Sequence, residues 1–355
     1  MPPFLILSLL LLSRGASAQA SAAPPKETAS CEKGAALLRH GALDEAVALL
    51  KKGVRESPKD VNCLSWLADA WGRKKHWPEA IASYAEAIAL SPKNPSLYYR
   101  RGLAYYENFE DDAYGAGSDD AEKATADLDQ AIKLNPDYSE AYKARARVSG
   151  FGGMDCAAHI ADATKVIELE PNDAEAYEQR GNIYGDTAEM RYSQDCWGGS
   201  ENLHGSATDY YLLAIADYKK AASLNPQGMA VYYGQIGKYY GKIQMPEKAI
   251  ESWTQAIRIS SGNASCRISR AEIYLDQKRT LEALQDCDEA VKLAPQEASA
   301  YALRKKVRIA LGQTQGAEED AQMESKLLTK QILDSGTPLD QEFIRGVTHL
   351  QPDPQ

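Results

Sequence analysis

Apolar positions recur along this chain in blocks of similar design. The segment 80–92 (AIASYAEAIALSP) is echoed at 124–136 (ATADLDQAIKLNP) and at 214–226 (AIADYKKAASLNP). Further copies lie at 159–171, 249–261, 283–295 and, more faintly, 46–58. Apolar spacings of three and four place each block's small and aromatic residues on one stripe of a helix, and the Pro that closes six of the seven blocks cannot continue it. The blocks end at 58, 92, 136, 171, 226, 261 and 295, so successive ends are 34, 44, 35, 55, 35 and 34 residues apart. The pattern is a 34-residue period with two sizeable insertions.

A second pattern precedes each block. Tyr98-x-x-Arg101-Gly102-x-x-Tyr105 returns as Tyr177-x-x-Arg180-Gly181-x-x-Tyr184 and as Tyr233-x-x-Ile236-Gly237-x-x-Tyr240, with looser forms around Tyr142, Tyr274 and Tyr301. Its aromatics also share one helical face. Each period is thus two amphipathic helices, and the Ala residues of the second allow the pair to approach closely.

These residues closely resemble the tetratricopeptide repeat (TPR) family, whose pattern has aromatics, small residues and a terminal Pro at these offsets. The resemblance covers about eight units over residues 29–331. It implies an all-α, right-handed α-solenoid of helical hairpins with a concave groove and, as function, binding of a protein or peptide partner. The insertions, at about 107–120 and 187–209, fall between the two helices of a unit and are expected to be loops. The first is acidic, and Asp111-Asp112 and Asp119-Asp120 within it are a poor scaffold for acid–base chemistry. The second holds Cys196, Trp197 and His204; Trp197 is a candidate edge anchor for a partner, or a plug that folds back. Arg stands where the family usually has Leu at Arg101, Arg145, Arg180 and Arg270, and these are expected to pack their stems and set their charge against acidic neighbours or the groove edge.

Repeat register, taken from the resemblance, narrows the fifteen complete pairings open to six cysteines. It implies three sequential disulfides, Cys31–Cys63, Cys156–Cys196 and Cys266–Cys287. No C-x-x-C accompanies them. Disulfides suit an exported protein, and the first residues agree. An apolar run at 4–12 (FLILSLLLL) is followed by Ala16-Ser17-Ala18. That run is too short to cross ~30 Å of hydrocarbon, which takes ~20 helical residues. It reads as a signal peptide over 1–20, followed by a linker at 21–28, with a periplasmic or secreted destination. Residues 323–334 are expected to cap the solenoid and 332–355 to form a tail.

Composition narrows the partner. With 40 basic and 50 acidic residues the net charge is −10, so neither nucleic acid nor an anionic membrane is favoured. The 355 residues are 44% hydrophobic and 25% charged, ordinary for a globular core. Five scattered His leave little for a metal site, and no metalloprotease, P-loop, dinucleotide or nucleophile-elbow motif is present. The Gly-rich stretch 150–153 joins two helices, a poor phosphate cradle. No cofactor, metal or catalytic residue is expected.

The family presents positions 2, 5, 9 and 12 of each first helix to the groove. Carried onto this chain, these include Tyr99, Leu103, Tyr106, Lys143, Arg147, Asn182 and Lys238, with Glu178, Ile268 and Glu272 further along. The aromatic and basic members suit an extended peptide carrying carboxylates. The family's chaperone-tail clamp is not expected, because only Asn182 matches and Glu178 stands where Lys is wanted. The alternative to groove binding is assembly or tethering through the edge loops.

Overall fold

The computed structural model describes residues 29–111, 117–148, 156–193 and 205–334, and the chain divides into two compact units between Lys93 and Asn94. The leader, the linker, Trp197, Cys196, the 150–153 stretch and the tail beyond 334 lie outside these residues. The described residues form sixteen α-helices and no strand. They pair into hairpins in chain order, so the architecture is the all-α repeat that the 34-residue period predicts.

Unit 1 contains α1 (Ala29–Arg39), α2 (Leu43–Glu56), α3 (Val61–Arg73) and α4 (Trp77–Leu90). The α1–α2 and α3–α4 hairpins pack through α2 against α3 and α1 against α3. Leu38, Val47, Leu50 and Leu67 fill the core beside a disulfide joining Cys31 of α1 to Cys63 of α3, with Cα atoms 5.4 Å apart. Gly53 of α2 packs directly on that bridge; a Cβ there would lie 2.3 Å from the Cys31 sulfur. Glycine is required by this approach. Asp60 caps α3, accepting from the Asn62 and Cys63 amides at 3.0 and 3.1 Å.

Unit 2 runs through α5 (Pro95–Asp111), α6 (Gly117–Leu134), α7 (Ser139–Val148), α8 (Cys156–Leu169), α9 (Ala174–Ser193) and α10 (Ala207–Leu224). It continues with α11 (Met229–Lys242), α12 (Pro246–Ile259), α13 (Ala264–Asp276), α14 (Thr280–Leu293), α15 (Ala298–Ala310) and α16 (Thr314–Asp334). Helices α6, α8, α10 and α14 each stop two residues before the Pro of their block, as the backbone restriction ahead of proline requires. The largest apolar cluster is built on Tyr210, Tyr211, Tyr218, Tyr232, Tyr239, Tyr240 and Trp253. Of the tyrosines that mark the repeat, Tyr240, Tyr274 and Tyr301 are buried and Tyr98, Tyr105, Tyr142, Tyr177, Tyr184 and Tyr233 half-buried.

Turns inside the uninterrupted hairpins share one device. Gly41, Lys75, Gln244, Lys278 and Gly312 all have φ between 56° and 80°, and all hold the same repeat position. A left-handed residue reverses the chain there, at a cost for the three that carry a Cβ.

The structure corrects the expected loops. In the first insertion α5 continues to Asp111 and α6 begins at Gly117; in the second α9 continues to Ser193 and α10 begins at Ala207. The inserted residues lengthen the helices, leaving only 112–116 and 194–206 between them. Asp120, expected in a loop, is buried in the first turn of α6 and accepts from Asn108 at 2.7 Å and Lys123 at 3.1 Å. The expected cap at 323–334 is the end of α16, the second helix of the last hairpin.

The Cys266–Cys287 bridge is not formed: both are buried free thiols. They face different clusters. Cys266 packs with Tyr232 and Trp253, its sulfur 3.3 Å from where a Cβ on Gly234 would stand. Cys287 sits instead among Ile250, Ala271, Tyr274, Leu303 and Val307, where burial pushes its thiol up to about 12. Register places these two on neighbouring helices, and packing points them apart. The expected Cys156–Cys196 bridge involves a residue outside those described.

Candidate binding groove

The first helices of unit 2 bring four of the named groove residues together. Tyr99, Leu103 and Tyr106 lie on α5, and Tyr99 and Leu103 pack around the cluster of Tyr106, Leu128, Ala144 and Val148. The Tyr99 ring meets Tyr138 with centroids 5.1 Å apart, a neighbour outside the sequence pattern. Arg147 of α7 lays its guanidinium 5.3 Å over the Tyr106 ring. Burial raises both phenols above their ordinary range, with Tyr138 adding to it at Tyr99 and the Glu110 hydrogen bond adding to it at Tyr106. Arg147 opposes the shift at each. Tyr106 is only 4% exposed, so its ring is core and its hydroxyl alone reaches out, donating to Glu110.

Arg147 differs from the other arginines of these helices. Arg101, Arg145, Arg180, Arg270 and Arg304 each grip one aspartate of the second helix in the same hairpin: Asp127, Asp162, Asp217, Asp286 and Asp320. Four grips are two-pronged with N–O distances between 2.6 and 2.9 Å. The guanidiniums also stack over helix tyrosines, such as Tyr177 and Tyr184 around Arg180. These arginines have a structural role, with their charge already matched. Arg147, by contrast, is exposed and has no carboxylate partner among the described residues.

Lys143 is also committed within the chain. Its ammonium lies 2.8 Å from Glu170 and 2.6 Å from Asp173. Burial works against that charge, but the two hydrogen bonds override it and hold the ammonium well above its ordinary range. Asn182 and Lys238 form a separate neighbourhood on α9 and α11. Asn182 accepts from the buried Tyr218 hydroxyl, while Lys238 lies 3.7 Å from Glu189 and 5.5 Å over the Tyr239 ring. Glu178 accepts from Tyr232 at 3.0 Å. This end of the helix face is acidic and internally bonded. Of the named residues Arg147, Asn182, Lys238 and Glu272 are exposed, and Tyr99 and Leu103 are half-buried.

The aspartate partners were visible in the sequence but need the pairing to be read. Asp286 and Asp320 follow their arginines by 16 residues, Asp162 by 17, and Asp127 and Asp217 by 26 and 37 because of the insertions. Where the arginine position holds Leu67 or Ile236, the matching residue is a buried Ser83 or Ser252 bonded to its own helix backbone. Arg304, the fifth of the set, escaped the pattern because its flanking residues depart from it. Among the described residues no group of three or more His, Cys, Asp or Glu could hold a metal, and no helix is long and apolar enough to cross a membrane. Asn263 caps α13 by accepting from the Cys266 amide at 2.9 Å.

Comparison with known families and structures bears on this architecture. Residues 73–108 match the family model described as TPR repeat, and residues 235–298 the one described as Tetratricopeptide repeat. Both stretches are tetratricopeptide repeats, and the chain is an all-α repeat protein built on them. It is 31% identical over 109 residues to Hsc70-interacting protein 1 of Drosophila melanogaster, covering 31% of this chain and 29% of that protein. It is 35% identical over 104 residues to RNA polymerase II-associated protein 3 of Xenopus laevis, covering 29% of this chain and 14% of that one. The chain thus spans under a third of the length of these relatives. Among solved structures, the C-terminal part of a TPR repeat-containing protein from Cytophaga hutchinsonii aligns with a TM-score of 0.52 at 15% identity, over 80% of this chain and 98% of that one. At that identity the likeness concerns the fold alone.

Proposed function

We propose that this protein is a non-enzymatic interaction scaffold that holds an acidic segment of a protein partner on the first-helix face of unit 2, at Tyr99, Leu103 and Arg147. The observation that carries this reading is Arg147: exposed, poised over an aromatic ring and without a carboxylate among the described residues, where Arg101, Arg145, Arg180, Arg270 and Arg304 each hold an aspartate. A planar guanidinium beside aromatic surface suits a partner carboxylate flanked by apolar side chains. Tetratricopeptide repeats generally mediate protein–protein contact, and both relatives above are named for proteins with which they associate, which supports the class of partner without identifying it. We place the protein outside the cytoplasm, a reading supported by the short apolar run before Ala16-Ser17-Ala18 and by the Cys31–Cys63 disulfide.

The test is affinity capture from the envelope or secreted fraction of the native source, with wild type beside a Tyr99→Ala, Arg147→Glu variant of unchanged helicity. Tyr106 is left intact because its ring is core. A partner held by wild type and at least tenfold depleted on the variant supports the groove; equal retention moves the function elsewhere. Native protein beginning at Gln19 or Ser21 supports export, and one beginning at Met1 contradicts it.

A further inference from the structure

Successive hairpins of unit 2 are joined by a recurring bond that one junction inverts. Four of the structural arginines reach back to the preceding hairpin as well as to their own aspartate: Arg145 to Asp129, Arg180 to Thr164 at 3.1 Å, Arg270 to Thr254 at 2.8 Å and Arg304 to Asp288 at 2.9 Å. The acceptor stands two places after the buried Asp or Ser of its second helix. Between α10 and α11 the arginine's place is taken by Ile236, and the acceptor's place holds a cation, Lys219. Lys219 donates to the Tyr240 hydroxyl at 3.0 Å, its ammonium 5.4 Å from the centre of that ring. Lys248, in the first turn of α12, brings a second ammonium to 5.5 Å from the same ring. Lys220 follows Lys219, its ammonium 5.9 Å from the Tyr177 ring.

None of these three lysines has an ion-pair partner among the described residues. Glu247, next to Lys248, is turned to the Gln277 amide at 2.7 Å. Ammoniums gathered without a carboxylate repel, and a lysine in the first turn of a helix also opposes the helix dipole. Packing does not call for the arrangement, since neutral Thr164 and Thr254 fill the place of Lys219 in two other junctions. Apolar surface adjoins the cations. Leu212, Leu213 and Ala216 share the exposed side of α10 with Lys219 and Lys220, the two leucines 43% and 44% exposed. Met245, whose amide donates to the Tyr240 carbonyl at 2.9 Å, is 38% exposed at the start of α12.

We propose that this exposed side of the second helices α10 and α12 is a docking surface for a lipid bilayer carrying anionic phosphate headgroups. Lys219, Lys220 and Lys248 receive the phosphates, and Leu212, Leu213 and Met245 enter the boundary between headgroups and acyl chains. Charge complementarity sets this occupant: a cationic or purely apolar surface would leave three ammoniums uncompensated, and a small free anion would leave the leucines in water. The net charge of −10 disfavours an anionic membrane for the chain as a whole, but screening over about 8–10 Å lets the patch act locally.

Sedimentation of the full chain with vesicles tests the surface, using phosphatidylcholine alone beside an equal mixture of phosphatidylcholine and phosphatidylglycerol. The expected result is at least tenfold stronger partition onto the mixed vesicles, weakened by high salt. Lys219→Glu with Lys248→Glu should reduce it at least tenfold, and Leu212→Ser with Leu213→Ser several-fold. Lys326→Glu with Lys330→Glu, at exposed lysines of α16, changes the net charge equally and should leave the partition within about twofold. Lys219→Gln with Lys248→Gln replaces the glutamate pair should that pair unfold. Equal partition onto both kinds of vesicle, none onto either, a glutamate pair that partitions as wild type does, or an equal loss in the α16 pair overturns the proposal. A chain that ignores vesicles yet self-associates, or binds inorganic phosphate, through the same lysines also overturns it, assigning the surface to a second copy or a free anion. These variants leave Tyr99 and Arg147 intact, so the groove and this surface stand or fall separately.

Discussion

Unit 1 and most of unit 2 secure the same hairpin with opposite chemistry. In α3–α4 the contact position holds Leu67, and the residue opposite is Ser83, whose hydroxyl turns back to the Glu79 carbonyl at 2.8 Å. In α9–α10 the equivalent pair is Arg180 and Asp217, joined twice at 2.8 Å with the carboxylate only 7% exposed. The α11–α12 hairpin, inside unit 2, reverts to the neutral pattern with Ile236 and Ser252. The two residues switch together because half of either arrangement is costly. A buried aspartate without its guanidinium is an uncompensated charge, whereas both neutral or both charged partners are tolerated. Unit 1 adds a covalent tie, the Cys31–Cys63 bridge, while Cys266 and Cys287 in unit 2 remain thiols.

This comparison can be broken most decisively at Arg180 and Asp217. Asp217→Ala should cost about 3–5 kcal/mol in denaturant unfolding, the range for removing one partner of a buried pair. Arg180→Leu with Asp217→Ser, copying the pattern of unit 1, should stay within about 1 kcal/mol of wild type. Equal losses in the single and double variants would show that the pair is not the coupled unit described.

The covalent tie comes next. Reduction of Cys31–Cys63 should destabilise unit 1 by about 2–4 kcal/mol, seen as faster hydrogen exchange across α1–α4, and leave α13–α16 unaffected. Alkylation without reductant should label Cys266 and Cys287 only after unfolding, since both are buried. A 266–287 linked peptide in a non-reducing map would contradict the contrast between the units.

The smallest expected effect lies at the shared turn. Gly312 has φ of 72° with open space around it, so Gly312→Ala should cost about 1 kcal/mol through backbone strain alone. Lys278→Gly, at the same position with φ of 60°, should be neutral or stabilise by up to about 1 kcal/mol. Opposite signs in thermal melts would confirm that the turn conformation dominates; like signs would point to the side chain.

Much of the fold was legible because it is repeated. Seven copies of one amphipathic block fix helix phase, and each Pro fixes an end, so the hairpins could be read from spacing alone. The insertions were misread as loops because length beyond the period was taken to be irregular. The sequence of the first, ending in Ser118-Asp119-Asp120, has the polar and acidic residues that favour a helix start. The groove was legible in part. Position in the repeat named Tyr99, Leu103 and Arg147 on neighbouring first helices, but it could not show that Tyr106 is core or that Lys143 is held by Glu170 and Asp173.

Periodicity, which is local, determined by itself that this chain is an all-α array of helical hairpins, because a 34-residue recurrence of 3.6-period stripes has few other ways to bury its apolar faces. Side-chain partnership is non-local, and only the tertiary structure decided it. Cys31 met Cys63 while Cys266 turned from Cys287, and five arginines found aspartates while Arg147 was left open. Each outcome rests on where a side chain points after neighbouring helices have packed, at a resolution of one or two ångströms that a repeat register does not carry.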